Sequence, residues 1–251
     1  MGDNVEIKKD EFSNNYVITK VLPRKNELIR PKVTNIDQLL IVVSPVPKPD
    51  LMLVDKLIIN CFINNIEPIL VINKSDITSS QQIEDLKEQF EQVVKKIIVV
   101  SALKQNNIQE LKSVLQNKTS VFAGQSAVGK SSLLNAIDPQ INQATNILSK
   151  KVERGKHTTR ECTIFVLENN ILIADTPGFS MLELNFKFSD LPYYYPEFQN
   201  YKCKFNNCTH TTEVGCEVIN AVNNGKINLE RYNRYTQLLK QLKQKWDKVY
   251  D

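Results

Sequence analysis

The chain has 251 residues, enough for one or two domains and a small module. Hydrophobic residues make up 41% and charged residues 24%, an ordinary globular balance, and the net charge of +4 permits an anionic partner without demanding one. No apolar run approaches the ~18 residues of a membrane-spanning helix, and five cysteines without a basic-then-apolar leader are expected as reduced thiols in the cytoplasm.

Two short alternating runs open the chain, Val5–Ile7 and Tyr16–Leu22, with Asn14 and Asn15 as a turn between them. Two strands cannot hold a core alone, so this segment is expected to pack on the next domain or to be part of a larger β unit. From Asp37 the pattern becomes β/α. Gln38–Val43 reads as a buried strand, ended by the loop Ser44–Pro49. Leu51–Asn64 reads as a helix with Leu53, Leu57 and Cys61 on one face. A strand at Pro68–Asn73 and a helix at Ser79–Lys95 come next, the helix turning Ile83, Leu86, Phe90 and Val93 inward. Ile97–Ser101 is a third strand, Ile108–Leu115 a helix, and Ser120–Ala123 a fourth strand that feeds a helix from Lys130. Cys162–Leu167 and Ile171–Asp175 complete the strands, and Cys61 and Cys162 are expected in the core. After Phe179 the alternation stops. A final helix is expected over Asn228–Val249, with Leu229, Tyr232, Leu239, Leu242 and Trp246 as its buried stripe. Near-continuous apolar strands alternating with helices predict an α/β fold with a mostly parallel sheet covered on both faces.

Ligands on such sheets bind at the carboxyl ends of the strands, and every polar motif of the chain falls at such an end. Gly124, Gln125, Ser126, Ala127, Val128, Gly129, Lys130, Ser131 and Ser132 form a phosphate loop between a strand and a helix. Its backbone N–H groups and the helix N-terminus would cradle phosphates, Lys130 would reach the β- and γ-phosphates, and the Ser131 hydroxyl would ligate Mg²⁺. Ala127 stands where glycine is often found. Asp175 would hold Mg²⁺ through water, and Gly178 would offer its N–H to the γ-phosphate. Asn73, Lys74, Ser75 and Asp76 have the pattern of a guanine reader. The Asp76 carboxylate can accept from guanine N1–H and the exocyclic amine together, a donor pair that adenine lacks. Ser101 and Ala102 would address the guanine O6 through a backbone N–H. Gly155–Arg160 reads as a mobile switch in which Thr158 or Thr159 would complete the Mg²⁺ shell. Phe179 occupies the place where a glutamine often orients the attacking water, which leaves His157 as the nearby candidate and predicts slow intrinsic hydrolysis.

These motifs run in a permuted order: base reader, then phosphate loop, then switch, then Asp175–Gly178. The last of them therefore leads directly out of the domain into Cys203-x4-Cys208-x-His210-x5-Cys216. Three sulfurs and one imidazole make a closed tetrahedral set for a structural Zn²⁺. The short path from Gly178 to this cluster suggests that the γ-phosphate could move the zinc module. Basic residues concentrate at Lys150, Lys151, Arg154, Lys156 and Arg160 and again beyond Lys226, which fits RNA as well as a solvated face. A GTPase enzyme, a signalling or chaperone-type GTPase with a protein partner, and a zinc-containing RNA-binding module with little turnover all accommodate these features.

The permuted order resembles the ribosome small subunit-dependent GTPase A (RsgA) family. So do Pro23–Leu28 with Arg30 and Pro31, Gly155-x-His157-Thr158-Thr159, Asp175–Phe179 and the Cys/His spacing. The resemblance implies a partial OB-fold over residues 1–35, a circularly permuted GTPase domain over 36–187, and a mostly helical zinc domain over 188–251. It implies hydrolysis of GTP to GDP and phosphate during late maturation of the small (30S) ribosomal subunit, with that subunit and its rRNA as partner and stimulator, and a monomer that needs no membrane. It also implies a catalytic role for His157. The start of the chain resembles the middle of the family's barrel, so a shortened barrel is expected.

Overall fold

The computed structural model describes residues 1–10, 15–28, 32–141, 163–175 and 182–250. At its centre lies β5 (Gln38–Val43), six residues of which every one is buried. It pairs in parallel with β6 (Glu67–Ile72) on one side and β8 (Thr119–Ala123) on the other. The six-stranded sheet runs β7 (Lys96–Val99), β6, β5, β8, β10 (Ile171–Asp175), β9 (Thr163–Leu167). All pairings are parallel except β9 with β10. That pair turns at Glu168–Asn170, where Asn169 and Asn170 both take the left-handed backbone that asparagine tolerates in tight turns.

Helices cover both faces because the apolar strands must be buried on both. α1 (Leu51–Ile63) and α2 (Ser80–Phe90) pack on one face through Leu53, Leu57, Ile58, Leu86 and Phe90. α3 (Ile108–Leu115) and α4 (Lys130–Ile137) pack on the other through Leu111, Leu115, Leu133 and Leu134. Cys61 is buried in the first of these cores, as its helical position predicts. α2 starts at a reciprocal capping box between Ser79 and Gln82. It ends at Phe90 rather than at Lys95. Val93 and Val94 close a turn on the Phe90 carbonyl and bury their branched side chains on the way into β7.

The sheet grows from β5 outward to β7, then returns to place β8 on the far side of β5. The chain therefore leaves β5 toward α1 on one face and leaves β8 toward α4 on the other. Their carboxyl ends diverge into a crevice, the switch point at which such sheets bind ligands.

At the N-terminus β1 (Val5–Lys9) and β2 (Tyr16–Val21) form a hairpin exposed along its whole length. The small pair β3 (Glu27–Leu28) and β4 (Val33–Thr34) behaves differently: Leu28, Val33 and Ile36 are buried in the core of the main sheet. No closed barrel forms among the described residues.

Beyond β10 the chain builds a third core from short 3₁₀ turns at Phe188–Tyr194 and Pro196–Phe198, α5 (Glu217–Asn223) and the long α6 (Leu229–Tyr250). Asn228 caps α6 by accepting from the Arg231 N–H. The buried stripe of α6 is Arg231, Tyr235, Leu238, Leu239 and Leu242. Leu229, expected inside, is 56% exposed because the helix is rotated to bury the arginine two residues later. Ile59 of α1 belongs to this third core, so the C-terminal module is packed directly on the α/β domain.

Candidate nucleotide and metal sites

Three loops meet in the crevice between β5 and β8, and Asn73 joins them. Its side chain is buried, donates to the Val128 carbonyl at 3.0 Å and accepts from the Ala102 N–H at 3.2 Å. One amide thus ties the Asn73–Asp76 loop to the phosphate loop and to Ser101–Ala102. Lys74 adds a second bridge: its ammonium donates to the Ala127 carbonyl at 2.8 Å and to the Val46 carbonyl at 2.6 Å. Ser101 donates its hydroxyl to the Asp76 carboxylate, which faces solvent at the rim. The Ser75 N–H bonds the Val100 carbonyl at 3.0 Å, fixing the start of the turn that presents Asp76.

The glycines of the phosphate loop answer to close approaches of the backbone. At Gly124 (φ +138°) a Cβ would stand 2.3 Å from the Val42 carbonyl oxygen. At Gly129 (φ +95°) it would stand 2.4 Å from the Asn73 amide nitrogen. No side chain fits at either place. Ala127 takes a left-handed backbone, φ 63°, at a cost of about 1 kcal/mol for a residue with a Cβ. Lys130 opens α4, and its ammonium rests on the Gly124 and Gln125 carbonyls at 2.7 and 2.8 Å, inside the curve of the loop. Ser131 and Ser132 are exposed on the first turn of the same helix. The sequence presents Gln125 as a nucleotide contact, but its side chain is engaged elsewhere. It accepts from the Asp50 N–H at 2.6 Å and donates to the Lys48 carbonyl at 3.0 Å, so any nucleotide contact of this residue falls to its backbone. Asp175 ends β10, a parallel neighbour of β8, on the same edge of the sheet as Gly124. His157, Thr158, Thr159, Gly178, Phe179 and Cys162 lie outside the described residues.

The second cluster is farther along the chain. Cys203, Cys208, His210 and Cys216 bring four ligand atoms within 4.8 Å of one another. Cys203 Sγ lies 3.7 Å from Cys216 Sγ, and His210 Nδ1 lies 3.4 Å from each of those sulfurs. A tetrahedral zinc with Zn–S near 2.3 Å and Zn–N near 2.05 Å requires edges of about 3.7 and 3.5 Å. The edges among Cys203, His210 and Cys216 match these lengths, and Cys208 completes the set within 4.8 Å, so the four donors fit zinc in their chemistry. Burial pushes the Cys208 thiol up to about 12, a trend the neighbouring thiols reinforce, and burial lowers His210, keeping its imidazole neutral. A divalent cation would reverse the thiol shift and use the neutral ring as a ligand. The loop around the cluster is held by groups that spacing does not reveal. The Glu213 carboxylate accepts from the N–H groups of Thr209, Thr211 and Thr212 and from the Thr209 hydroxyl. Tyr232 and Tyr235 of α6 donate to the His210 and Thr209 carbonyls.

A third cluster is not legible in the sequence. Arg231 of α6, 2% exposed, pairs with Asp55 of α1 and Glu197, while Arg234 reaches the other Asp55 oxygen at 2.5 Å and the Gln89 side-chain oxygen at 2.8 Å. The Arg231 guanidinium also lies 4.8 Å from the Tyr195 ring centroid. Asp55, 0% exposed, is the anchor between the two domains.

Comparison with known proteins places this architecture. A family model described as RsgA GTPase matches residues 21–185. The chain belongs to the RsgA GTPase family. It is thus a GTPase, and guanine nucleotide with Mg²⁺ goes with that membership. A relative in Caldanaerobacter subterraneus subsp. tengcongensis, named small ribosomal subunit biogenesis GTPase RsgA, is 39% identical over 100% of this chain and 85% of its own length. A protein of the same name in Ruminiclostridium cellulolyticum is 41% identical over 90% of this chain and 75% of its own length. Among solved structures, YjeQ from Thermotoga maritima aligns with a TM-score of 0.84 at 35% identity, covering 96% of this chain and 83% of that one. YloQ, described as a circularly permuted GTPase, aligns with a TM-score of 0.80 at 32% identity, covering 97% and 80%. The permuted motif order is therefore the order of the fold itself, with the β5–β7 half of the sheet made before β8.

Proposed function

We propose that this RsgA-family GTPase acts in maturation of the small (30S) ribosomal subunit, binding that subunit and its rRNA as a monomer and hydrolysing GTP faster when docked. The observation that carries the reading is the meeting of Asn73, Lys74, Asp76, Ser101 and Ala102 with the phosphate loop at the sheet's switch point. The relatives named small ribosomal subunit biogenesis GTPase support the choice of partner.

In this reading Asp76 accepts two hydrogen bonds from guanine, the Ala102 segment addresses O6, and the Lys74 stem covers the base. Backbone N–H groups from Gly124 to Ser132 hold the phosphates. Lys130, already steered by two loop carbonyls, stabilises charge on the β- and γ-oxygens. Ser131 and Asp175 would hold Mg²⁺, which neutralises developing phosphate charge. Thr158 or Thr159 and the Gly178 N–H would register the γ-phosphate, and His157 would orient water. Cys203, Cys208, His210 and Cys216 would hold one zinc with no open position, a structural role. We assign residues 1–35 to a partial OB-fold, 36–187 to the permuted GTPase domain and 188–251 to the zinc domain.

Turnover of GTP is to be measured alone, with purified small subunits, and with large subunits as control. Acceleration by small subunits alone, weakening steeply with salt, is expected. Equal turnover in all three conditions would sink the reading.

A further inference from the structure

The phosphate loop has a mechanical connection to the C-terminal module that does not pass through the segment after Asp175. Its first link is the Gln125 side chain, which accepts from the Asp50 N–H at 2.6 Å and donates to the Lys48 carbonyl at 3.0 Å. Asp50 is the N-cap of α1, and its carboxylate receives the Leu53 N–H. Five residues on, Asp55 points from the same helix to two guanidinium groups of α6, that of Arg231 buried and that of Arg234 partly so. At 1.5 Å per residue the two attachments lie about 7.5 Å apart along one rigid helix. A shift of the phosphate loop that pulls on Gln125 therefore moves the end of α1 that Arg231 and Arg234 grip. The far end is tight: Asp55 is fully buried, and the interface also holds Ile59, Tyr195 and Tyr235 in one apolar core; the near end rests on the two Gln125 hydrogen bonds at the surface.

We propose that Gln125 is a positioning residue that joins phosphate-loop occupancy to the C-terminal helix, through the N-cap of α1 and Asp55. The proposal rests on the nucleotide reading and adds a route to it. Gln125 acts through its amide on the Lys48–Asp50 turn, not on the reacting atoms.

The test uses the full zinc-loaded chain. Affinity for GDP is measured by calorimetry in wild type, Gln125→Ala, Arg234→Ala and the double variant. Emission of Trp246, the single tryptophan, reports on α6. Coupling between two sites is reciprocal, so loosening α6 at Arg234 must alter nucleotide affinity. The expected result is a GDP dissociation constant shifted about fivefold by Arg234→Ala in the wild-type background and not at all in the Gln125→Ala background. GDP should change Trp246 emission in wild type and not in Gln125→Ala. A residue that merely stabilised the fold would give equal Arg234→Ala shifts in both backgrounds, and that outcome overturns the proposal. So does a Trp246 response of full size in Gln125→Ala, which would assign the signal to the segment after Asp175. If Arg234→Ala fails to fold by circular dichroism, Arg234→Lys keeps the charge and loses the second contact, and the same comparison applies. Failure of wild type to bind GDP would be a different result: it would remove the nucleotide reading and this inference together.

Discussion

Asp76 and Glu213 show how far a single side chain carries function or stability here. The Asp76 carboxylate is held by the Ser101 hydroxyl, and in the proposed reading it accepts two donors from a guanine edge. Replacing it by asparagine puts a donor where guanine also donates. Asp76→Asn is expected to weaken GTP binding by at least about 100-fold and to favour xanthosine triphosphate, whose 2-position carries an acceptor. Competition binding with the two nucleotides checks this, and unchanged preference for GTP would refute the assignment. Glu213 acts on folding. Burial raises its pKa, but the Thr209 hydroxyl and three N–H groups outweigh that and hold it at about 2, below its ordinary 4.5. A carboxyl whose folded pKa is depressed adds stability above its unfolded value and loses it as pH falls through the folded one. The contribution is thus complete above about pH 5 and gone near pH 2. Solvent screening of this half-buried group limits it to roughly 1 kcal/mol. Glu213→Gln should melt below wild type at pH 7, and the gap should close on acidification; a gap independent of pH would contradict the account.

At the scale of elements, α1 and α6 are joined more by charge than their sequences suggest. Periodicity identifies both helices, and the bounds of α6 differ from the expected ones by one residue at each end. The facing side chain is harder to foresee. An arginine in a basic, lysine-rich helix reads as solvated, and only the acids of two other elements, Asp55 and Glu197, make its burial tolerable. Asp55→Ala leaves two guanidinium groups without their common acceptor, one of them fully buried. A loss of about 3–5 kcal/mol is expected in urea unfolding; a loss under about 1 kcal/mol would mean that Arg231 and Arg234 find other partners. The exposure of Leu229, expected inside, has the same origin. Periodicity supplies the width of the apolar stripe but not its rotation, which here obeys the ion network. α2 ends early where Val93 and Val94 turn on the Phe90 carbonyl and bury their side chains in the core beside β7.

For the molecule as a whole, the C-terminal module has a core of its own to which α1 lends Ile59, and the loops of that module converge on Cys203, Cys208, His210 and Cys216, the set proposed to hold zinc. Chelation should therefore unfold residues 182–250 before the sheet. Two calorimetric transitions and new binding of an apolar dye to the surface around Ile59 are expected. One cooperative transition with chelator present would argue that the cluster contributes no separate stability. The expectation that the segment after Gly178 moves this module now has a constraint beside it, since Asp55 holds the module at a second point.

The parallel strands and their helices are legible in the sequence, and so are the loops after β6, β7 and β8 that meet at one end of the sheet and the Cys/His set that the fold brings together. Each is a local signal: a run of apolar residues, a glycine at a turn, or a spacing of sulfur and nitrogen donors. Which loops touch is settled only when the chain is folded. Asn73 bonding Val128 and Ala102, Gln125 bonding Lys48 and Asp50, and Arg231 facing Asp55 span separations from 29 to 176 residues. No periodicity encodes such pairs. They arise from the placement of β5 beside β8, and from the cost of burying an amide or a guanidinium without a partner.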